Sequence, residues 1–202
     1  MRLILASGSA RRPELLASLG VPFEVQPAGV DESSGERDPE RLARELALRK
    51  ASAVQALEPQ AVVIGADTLV SFGGRLFGKP ADAAQATETL RALRGQTHQV
   101  VSGVAVVGPE KRAVAAVVTH VTMRPYTDDD IDRYVATGSP LDKSGAYAIQ
   151  DPGFAPVASY DGCMCSVIGL PLFTTRRLLR EATGIETERP AYDRCRVCPL
   201  RG

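Results

Sequence analysis

Apolar runs alternate with longer helix-forming segments along most of the chain. Residues 2–6 form a short apolar run, and residues 61–66 form an uninterrupted one, which is typical of a strand buried on both faces. Residues 40–57 are rich in Ala, Leu, Arg and Glu, and residues 82–93 are similarly rich in Ala and Leu, so both stretches predict long helices. Strands and helices therefore interleave, which predicts an α/β fold with a mixed sheet.

Turn and capping signals divide the rest of the chain. Gly73-Gly74 separates residues 69–72 from residues 75–77 and predicts a hairpin. Thr127, followed by acidic residues, has the form of a capping box that opens a helix. The other expected elements are strands at 21–25, 99–107 and 113–123, helices at 14–19, 128–136 and 171–181, and a loop-rich stretch at 138–162.

Length and composition narrow the classes of function. The 202 residues suit one domain or two small lobes, and we take residues 1–182 as a single domain of two lobes and the polar residues 183–202 as a flexible tail. Lys+Arg and Asp+Glu are both 24, so the chain lacks the broad basic field of non-specific nucleic-acid binders, and no stable nucleic-acid partner is expected. No apolar run approaches the ~18–20 residues that span a bilayer, and the N-terminal run is too short for a signal peptide. We therefore expect a cytoplasmic protein with no membrane partner.

The loop after the first predicted strand is suited to bind phosphate. It carries two hydroxyl side chains, Ser7 and Ser9, and two guanidinium groups, Arg11 and Arg12, beside a predicted helix N-terminus. Free backbone N–H groups at such a terminus attract anions, and Arg can hold phosphate oxygens in a bidentate way. The alternative interpretation is a turn with two solvated arginines.

Asp67 and Lys50 are charged residues in apolar surroundings. Asp67 follows the apolar strand, and ligands of open α/β sheets gather beyond the carboxyl ends of the strands. Lys50 shares one helix face with small apolar residues, so its ammonium either reaches the solvent or enters a site. For Asp67 the alternative interpretation is a turn or a helix cap.

Other polar residues give weaker signals. Glu32, Lys79 and the polar stretch 142–150 could all belong to plain connections. His98 and His120 are expected to be structural. The Cys195 and Cys198 pair has no second pair at zinc-ligand spacing, and Cys163 and Cys165 stand at the poor spacing of C-x-C, so we favour incidental thiols in a tail over a zinc or redox site.

Seven short motifs follow one another over nearly the whole chain, from about residue 3 to residue 179. They are Leu5-Ala6-Ser7-Gly8-Ser9-Ala10-Arg11-Arg12, Val30-Asp31-Glu32, Lys50-Ala51, Gly65-Ala66-Asp67-Thr68, Gly78-Lys79-Pro80, Leu141-Asp142-Lys143-Ser144-Gly145-Ala146-Tyr147-Ala148-Ile149-Gln150 and Gly169-Leu170-Pro171-Leu172. The ordered set resembles the Maf family of nucleoside triphosphate pyrophosphatases. The region 159–166, with its two cysteines, departs from the common form of the family.

The resemblance implies a fold and a reaction. The fold is an elongated mixed β-sheet with flanking helices, in two lobes around a central cleft, as in the inosine triphosphatases. The reaction converts a nucleoside triphosphate to the monophosphate and pyrophosphate with a divalent metal, Mg²⁺ in the first place and Mn²⁺ or Co²⁺ as alternatives. The resemblance also implies a homodimer and a nucleotide-pool house-cleaning role linked to cell division arrest.

Roles carried over from the family fall on matching positions. Asp67 is the expected proton acceptor, Lys50 and Lys79 are further catalytic residues, and Glu32 and Asp67 are the expected metal ligands. The expected substrate-binding residues are Ser7, Ser9, Arg11, Arg12, Thr68, Lys143 and Gln150. Of these, Arg11, Thr68 and Gln150 match the branch that acts on dTTP and UTP, with modified pyrimidine triphosphates as further targets.

Two other functions remain as alternatives. One is a non-catalytic module that binds nucleotides or RNA and regulates division, although its carboxylates would repel phosphate without a metal. The other is a purine house-cleaning enzyme similar to the inosine triphosphatases. Metal-dependent turnover separates the first from an enzyme, and a comparison of dITP with dTTP separates the second.

Overall fold

The computed structural model describes residues 2–201. Over this range the chain forms seven β-strands and six α-helices, with short 3-10 turns between them. The strands are β1 (Leu3–Ala6), β2 (Glu24–Val25), β3 (Val62–Phe72), β4 (Arg75–Phe77), β5 (Thr97–Val107), β6 (Arg112–Met123) and β7 (Val157–Asp161). The helices are α1 (Arg11–Ala17), α2 (Pro39–Leu57), α3 (Ala83–Leu93), α4 (Asp128–Ala136), α5 (Met164–Ile168) and α6 (Leu172–Thr183).

The seven strands form one mixed sheet in the order β2-β1-β3-β5-β6-β7, with β4 paired to β3. β1 is parallel to β2 and to β3, whereas β4 is antiparallel to β3 and β7 is antiparallel to β6. The predicted α/β class, a mixed sheet with flanking helices, is therefore confirmed.

Several predicted elements have different limits in the structure. The apolar run and the first arm of the hairpin are one continuous strand, β3, and α1 begins at Arg11 rather than at residue 14. The capping box is present as predicted, since Thr127 accepts from the backbone N–H of Asp130 while the Asp130 carboxylate accepts from that of Thr127. β7 and α5 were not predicted, because five-residue elements carry too little periodicity.

The chain divides into two compact units. The first comprises residues 2–68, 101–118 and 163–201, and the second comprises residues 69–100 and 119–162. β3, β5 and β6 each contribute residues to both.

The first unit has an aliphatic core in which α2 lies directly on the sheet. A Cβ atom added to Gly65 of β3 would stand 2.2 Å from the carbonyl oxygen of Ala47, and one added to Gly103 of β5 would stand 2.0 Å from that of Ala43. These two glycines therefore allow the helix backbone to approach the strands more closely than any side chain would permit. The core around this contact consists of Ile4, Ala6, Ala47, Ala51, Val54, Ala61, Val63, Ala105 and Val107.

The second unit is held by aromatic side chains. The rings of Tyr134 and Phe154 stack with centroids 4.3 Å apart, and Tyr126 packs on Phe154 at 4.8 Å. His98 is buried and its Nε2 shares a 2.7 Å hydrogen bond with the Tyr147 hydroxyl. Because burial disfavours the charged imidazolium, the pKa of His98 is lowered to about 4.

The described part of the C-terminal segment packs against the first unit. The backbone N–H groups of Glu188 and Ala191 donate to the carbonyl oxygens of Leu19 and Ser18. Flexibility of residues 183–202 stays a prediction. Within residues 2–201, none of the helices combines the length and the apolar character that crossing a membrane requires.

Candidate functional site

Two predicted site segments lie next to each other where the parallel pairing of β1 with β3 ends. Ala6 pairs with Gly65 at the last position of the parallel ladder, so the loop that begins at Ser7 starts beside Asp67. Asp67 was expected just after the strand, and this was wrong, because β3 continues beyond the end of β1 and pairs with β4 through Val70–Phe72. The carboxylate nevertheless lies beyond the end of the parallel pairing, where ligands gather in α/β folds.

Lys50 reaches the end of this pairing because α2 rests on Gly65. Its Nζ lies 2.6 Å from Oδ1 of Asp67 and 2.7 Å from Oε1 of Glu32. Lys50 is 9% exposed and Asp67 is 6% exposed, whereas the Glu32 side chain is 59% exposed. The ammonium is thus directed to a buried carboxylate, and this pairing makes two buried charges tolerable.

Arg12 is fixed by three hydrogen bonds. Its Nε donates to the carbonyl oxygen of Gly169 at 2.9 Å, its Nη1 to the Ser7 hydroxyl at 3.1 Å and its Nη2 to the Thr68 hydroxyl at 3.3 Å. Burial lowers the pKa of Arg12, and the negative charge of Asp67 opposes this shift. An arginine side chain stays protonated in proteins, so Arg12 is a permanent cation close to Asp67.

Thr68 continues this network into the interior. Its Oγ1 lies 2.7 Å from the Ser102 Oγ, which donates to the carbonyl oxygen of Ser166 at 2.7 Å. Because the single hydroxyl proton of Ser102 is used on that carbonyl, Thr68 is the donor to Ser102 and the acceptor from Arg12. Ser102 and Ser166 were not singled out from the sequence, since a serine in an apolar strand carries no pattern that indicates a role.

The remaining loop residues are less constrained. The backbone N–H of Ser9 donates to the Ser7 hydroxyl at 3.2 Å. The Nε of Arg11 is buried and has no hydrogen-bond partner among the residues described. An unpaired donor of this kind is rare in folded proteins, and a ligand oxygen would satisfy it.

The second unit holds the other three predicted site residues. Lys79 is exposed after β4, and the carbonyl oxygen of Gly78 accepts from the backbone N–H of Gly145, which joins the Lys79 and Lys143 segments. The Lys143 Nζ is hydrogen-bonded to Ser139 and Asp142, and Gln150 is exposed. That Lys79, Lys143 and Gln150 act together with Asp67 stays a prediction.

Glu32 and Asp67 are the candidate metal ligands. Both carboxylates reach the same ammonium, so their oxygens lie close enough together to share one small cation. Among residues 2–201 no three His, Cys, Asp or Glu side chains already surround one metal position. The two carboxylates suit Mg²⁺, which takes one or two carboxylates and fills its other positions with water and phosphate oxygens.

Comparison with known proteins identifies the family. The sequence model of the Maf-like protein family matches residues 2–182. The chain is 48% identical to a dTTP/UTP pyrophosphatase of Thermomicrobium roseum, over 99% of this chain and 94% of that protein. It is 48% identical to one of Deinococcus radiodurans, over 90% and 93%, and 50% identical to one of Moorella thermoacetica, over 88% and 93%.

A solved structure is also among the similar proteins. It is a nucleoside-triphosphatase / dITP/XTP pyrophosphatase from Mycobacterium abscessus, 19% identical, with a TM-score of 0.41 over 62% of this chain and 76% of that chain. This likeness is too low to bear on function. The family match and the identities over nearly full length establish that the chain belongs to the Maf-like protein family.

Proposed function

We propose that this protein hydrolyses dTTP and UTP to the nucleoside monophosphate and pyrophosphate. The observation that carries the proposal is the buried Lys50–Asp67 pair with Glu32, at the edge where the loop 7–12 begins. The names of the relatives, dTTP/UTP pyrophosphatase at 48% to 50% identity, support the same reaction.

The loop and its neighbours suit a polyphosphate. Arg11 has an unpaired buried Nε, Arg12 is held in place by Ser7, Thr68 and Gly169, and Lys50 adds a third cation. Hydrolysis of a triphosphate depends on charge neutralisation and on an aligned water more than on covalent chemistry. Fixed cations meet this requirement without reorganisation at the moment of reaction.

We further propose that Glu32 and Asp67 hold a divalent cation, Mg²⁺ in the first place and Mn²⁺ or Co²⁺ as alternatives. When bound, such an ion neutralises phosphate charge and orients the reacting groups. The Lys50 ammonium stays hydrogen-bonded to Asp67, and it has a further N–H group for a phosphate oxygen.

Asp67 is the proposed general base. Its Oδ1 accepts from Lys50, which leaves Oδ2 to accept a proton from water. The water oxygen bonds to the α-phosphorus, and the bond from that phosphorus to the bridging oxygen of the β-phosphate breaks. The products are the nucleoside monophosphate, pyrophosphate and the proton on Asp67.

Base preference is assigned to Arg11, Thr68 and Gln150, and Lys79 and Lys143 are assigned to the phosphates. Thr68 is locked between Arg12 and Ser102, so its methyl group and hydroxyl have one orientation. Modified pyrimidine triphosphates are proposed as further substrates, which suits a house-cleaning role in the nucleotide pool with a link to division arrest. A homodimer in the cytoplasm stays a prediction.

A panel of triphosphates tests the proposal. With Mg²⁺, Mn²⁺ or Co²⁺ present, UTP and dTTP should release pyrophosphate faster than dITP and GTP, and the chelated enzyme should be inactive. Asp67→Asn should lower turnover about 10²–10⁴-fold, the range expected for loss of a general base.

The matched control is Asp129→Asn, which changes an exposed aspartate of α4 in the same way. It should keep the turnover of the unmodified protein. Faster turnover of dITP than of dTTP would favour the purine alternative. Binding of UTP without metal-dependent turnover would favour the non-catalytic alternative.

A further inference from the structure

Four cysteines from two distant segments meet in the first unit. Cys163 and Cys165 lie at the start of α5, and Cys195 and Cys198 lie in and just after a 3-10 turn at Asp193–Val197. All four are at most 5% exposed, and none of the four is joined in a disulfide. The chain has no other cysteine. That the two cysteine pairs meet was not predicted, because spacing along the chain does not reveal which segments meet in space.

The thiols contact one another directly. The Sγ atoms of Cys165 and Cys195 are 3.4 Å apart. The side chain of Cys163 interacts electrostatically with those of Cys165 and Cys198. The four sulfurs thus form one connected cluster, in which C-x-C comes from one segment and C-x-x-C from the other.

We infer that Cys163, Cys165, Cys195 and Cys198 form a structural zinc site. Zinc in structural sites is bound by four cysteine or histidine ligands in a closed tetrahedron. With Zn–S distances of about 2.3 Å, neighbouring sulfurs of such a site stand about 3.8 Å apart. The 3.4 Å contact between Cys165 and Cys195 is slightly shorter, so these thiols are packed against each other. No three cysteines among residues 2–201 already surround one metal position, so the side chains must rotate to enclose the ion.

The composition of the cluster favours zinc over the hard cations of the phosphate site. Thiolates are soft ligands that select zinc, whereas Mg²⁺ takes oxygen. On binding, the thiols release their protons to solvent. Four protein ligands leave no open position, so the ion would hold structure and take no part in hydrolysis.

The cluster also connects the C-terminal segment with α5. The match to the family ends at residue 182, and Cys195 and Cys198 belong to the segment beyond it. Zinc would fasten this segment to α5. That helix in turn supports the candidate site, since the carbonyl oxygen of Ser166 accepts from Ser102 and that of Gly169 accepts from Arg12.

Metal analysis of the full chain tests the inference. Protein produced in zinc-supplemented medium should contain about one zinc per chain after exhaustive dialysis. Replacement by Co²⁺ should give the intense thiolate-to-cobalt absorption and the visible bands of a tetrahedral site. Removal of zinc with a strong chelator should lower the temperature of unfolding and make four thiols reactive.

Cys198→Ser should lose the cobalt absorption of a four-thiolate site and weaken zinc retention at least tenfold. Val197→Ser changes the exposed neighbour of Cys198 and should retain both properties. Absence of bound zinc together with absence of the cobalt spectrum overturns the inference, as does a protein mass two hydrogens lower, which would indicate a Cys165–Cys195 disulfide. Asp67→Asn should bind zinc normally, so a failed zinc site and a failed hydrolytic site are distinguishable.

Discussion

At the scale of single residues, the Lys50–Asp67 pair differs from the ion pairs on the surface. Arg2 and Glu24 form an exposed pair with both side chains more than half exposed, and such pairs contribute about 0–1 kcal/mol to stability. Lys50 and Asp67 are buried, and removal of one partner from a buried pair leaves an uncompensated charge. A buried pair is also weak support for the fold, so its presence at the edge of the sheet favours a role in chemistry.

His98 gives the stability of the protein a defined pH dependence. Its pKa is about 4 in the folded state and about 6.5 in the unfolded state, so the unfolded state binds more protons between these values. The free energy of unfolding is therefore highest above pH 6.5 and falls as the pH decreases toward 4. Between pH 7.5 and 5 this histidine should lower it by about 2 kcal/mol.

Urea unfolding at several pH values measures this contribution. His98→Gln removes the titrating group. Between pH 7.5 and 5 the free energy of unfolding of this variant should therefore fall by about 2 kcal/mol less than that of the unmodified protein. His120→Gln, which changes an exposed histidine, should retain the full decrease. Equal pH dependence in the two variants would contradict the account of His98.

Some residues of the candidate site could be predicted from the sequence, and others could not. Asp67 and Lys50 could be found because each is a charge within an apolar pattern. Ser102 and Ser166 could not be found, because their role depends on hydrogen bonds between β3, β5 and α5 that no local pattern encodes. Arg11 and Arg12 were recognised as a pair, but they differ in the structure. Each of the three guanidinium nitrogens of Arg12 donates a hydrogen bond, whereas the Arg11 Nε is unpaired among the residues described.

At the scale of elements, the contact between α2 and β3 positions the site. Gly65 allows the helix to lie on the strand, and this contact brings Lys50 to the carboxylate two residues further along the strand. The N-terminus of α2 is fixed by Asp38, whose side chain accepts from the backbone N–H of Arg41. The position of the ammonium therefore depends on a backbone contact and not only on the lysine itself.

Gly65→Ala tests this dependence. The new Cβ would lie 2.2 Å from the carbonyl oxygen of Ala47, so the helix or the strand must move. We expect a loss of about 1–3 kcal/mol in the free energy of unfolding, as for other overpacked cores, and a lower turnover because Lys50 moves with the helix.

The control is Gly35→Ala in the loop before α2, where a Cβ would meet no atom within 4 Å. This variant should be at least as stable as the unmodified protein, since alanine reduces the freedom of the unfolded chain. Unchanged stability and turnover in Gly65→Ala would show that the helix does not rest on this glycine.

The long elements were predictable and the short ones were not. α2 and α3 have the composition of helices over more than two turns, and the buried run of β3 has no polar interruption before Asp67. β7 and α5 have five residues each, and their formation depends on pairing with β6 and on packing in the first unit. Tertiary contacts therefore determine them, and the sequence around them gives no periodic signal.

At the scale of the whole molecule, a net charge of zero does not reveal that charged side chains are concentrated at one place. The chain has 24 basic and 24 acidic residues, yet three cations and two carboxylates gather around the loop 7–12 and Asp67. Net charge thus excludes a general polyanion binder without excluding a site for one polyanionic molecule. The cysteine cluster shows the same limit of sequence analysis, because Cys165 and Cys195 are 30 residues apart along the chain and come into contact only in the folded protein.

The most direct measurement of the central claim is UTP hydrolysis in ¹⁸O-labelled water. If Asp67 activates a water that attacks the α-phosphorus, the label appears in UMP and the pyrophosphate is unlabelled. Label in pyrophosphate with unlabelled UMP would place the attack on the β-phosphorus, and release of UDP with labelled phosphate would place it on the γ-phosphorus. Either of these results would contradict the account.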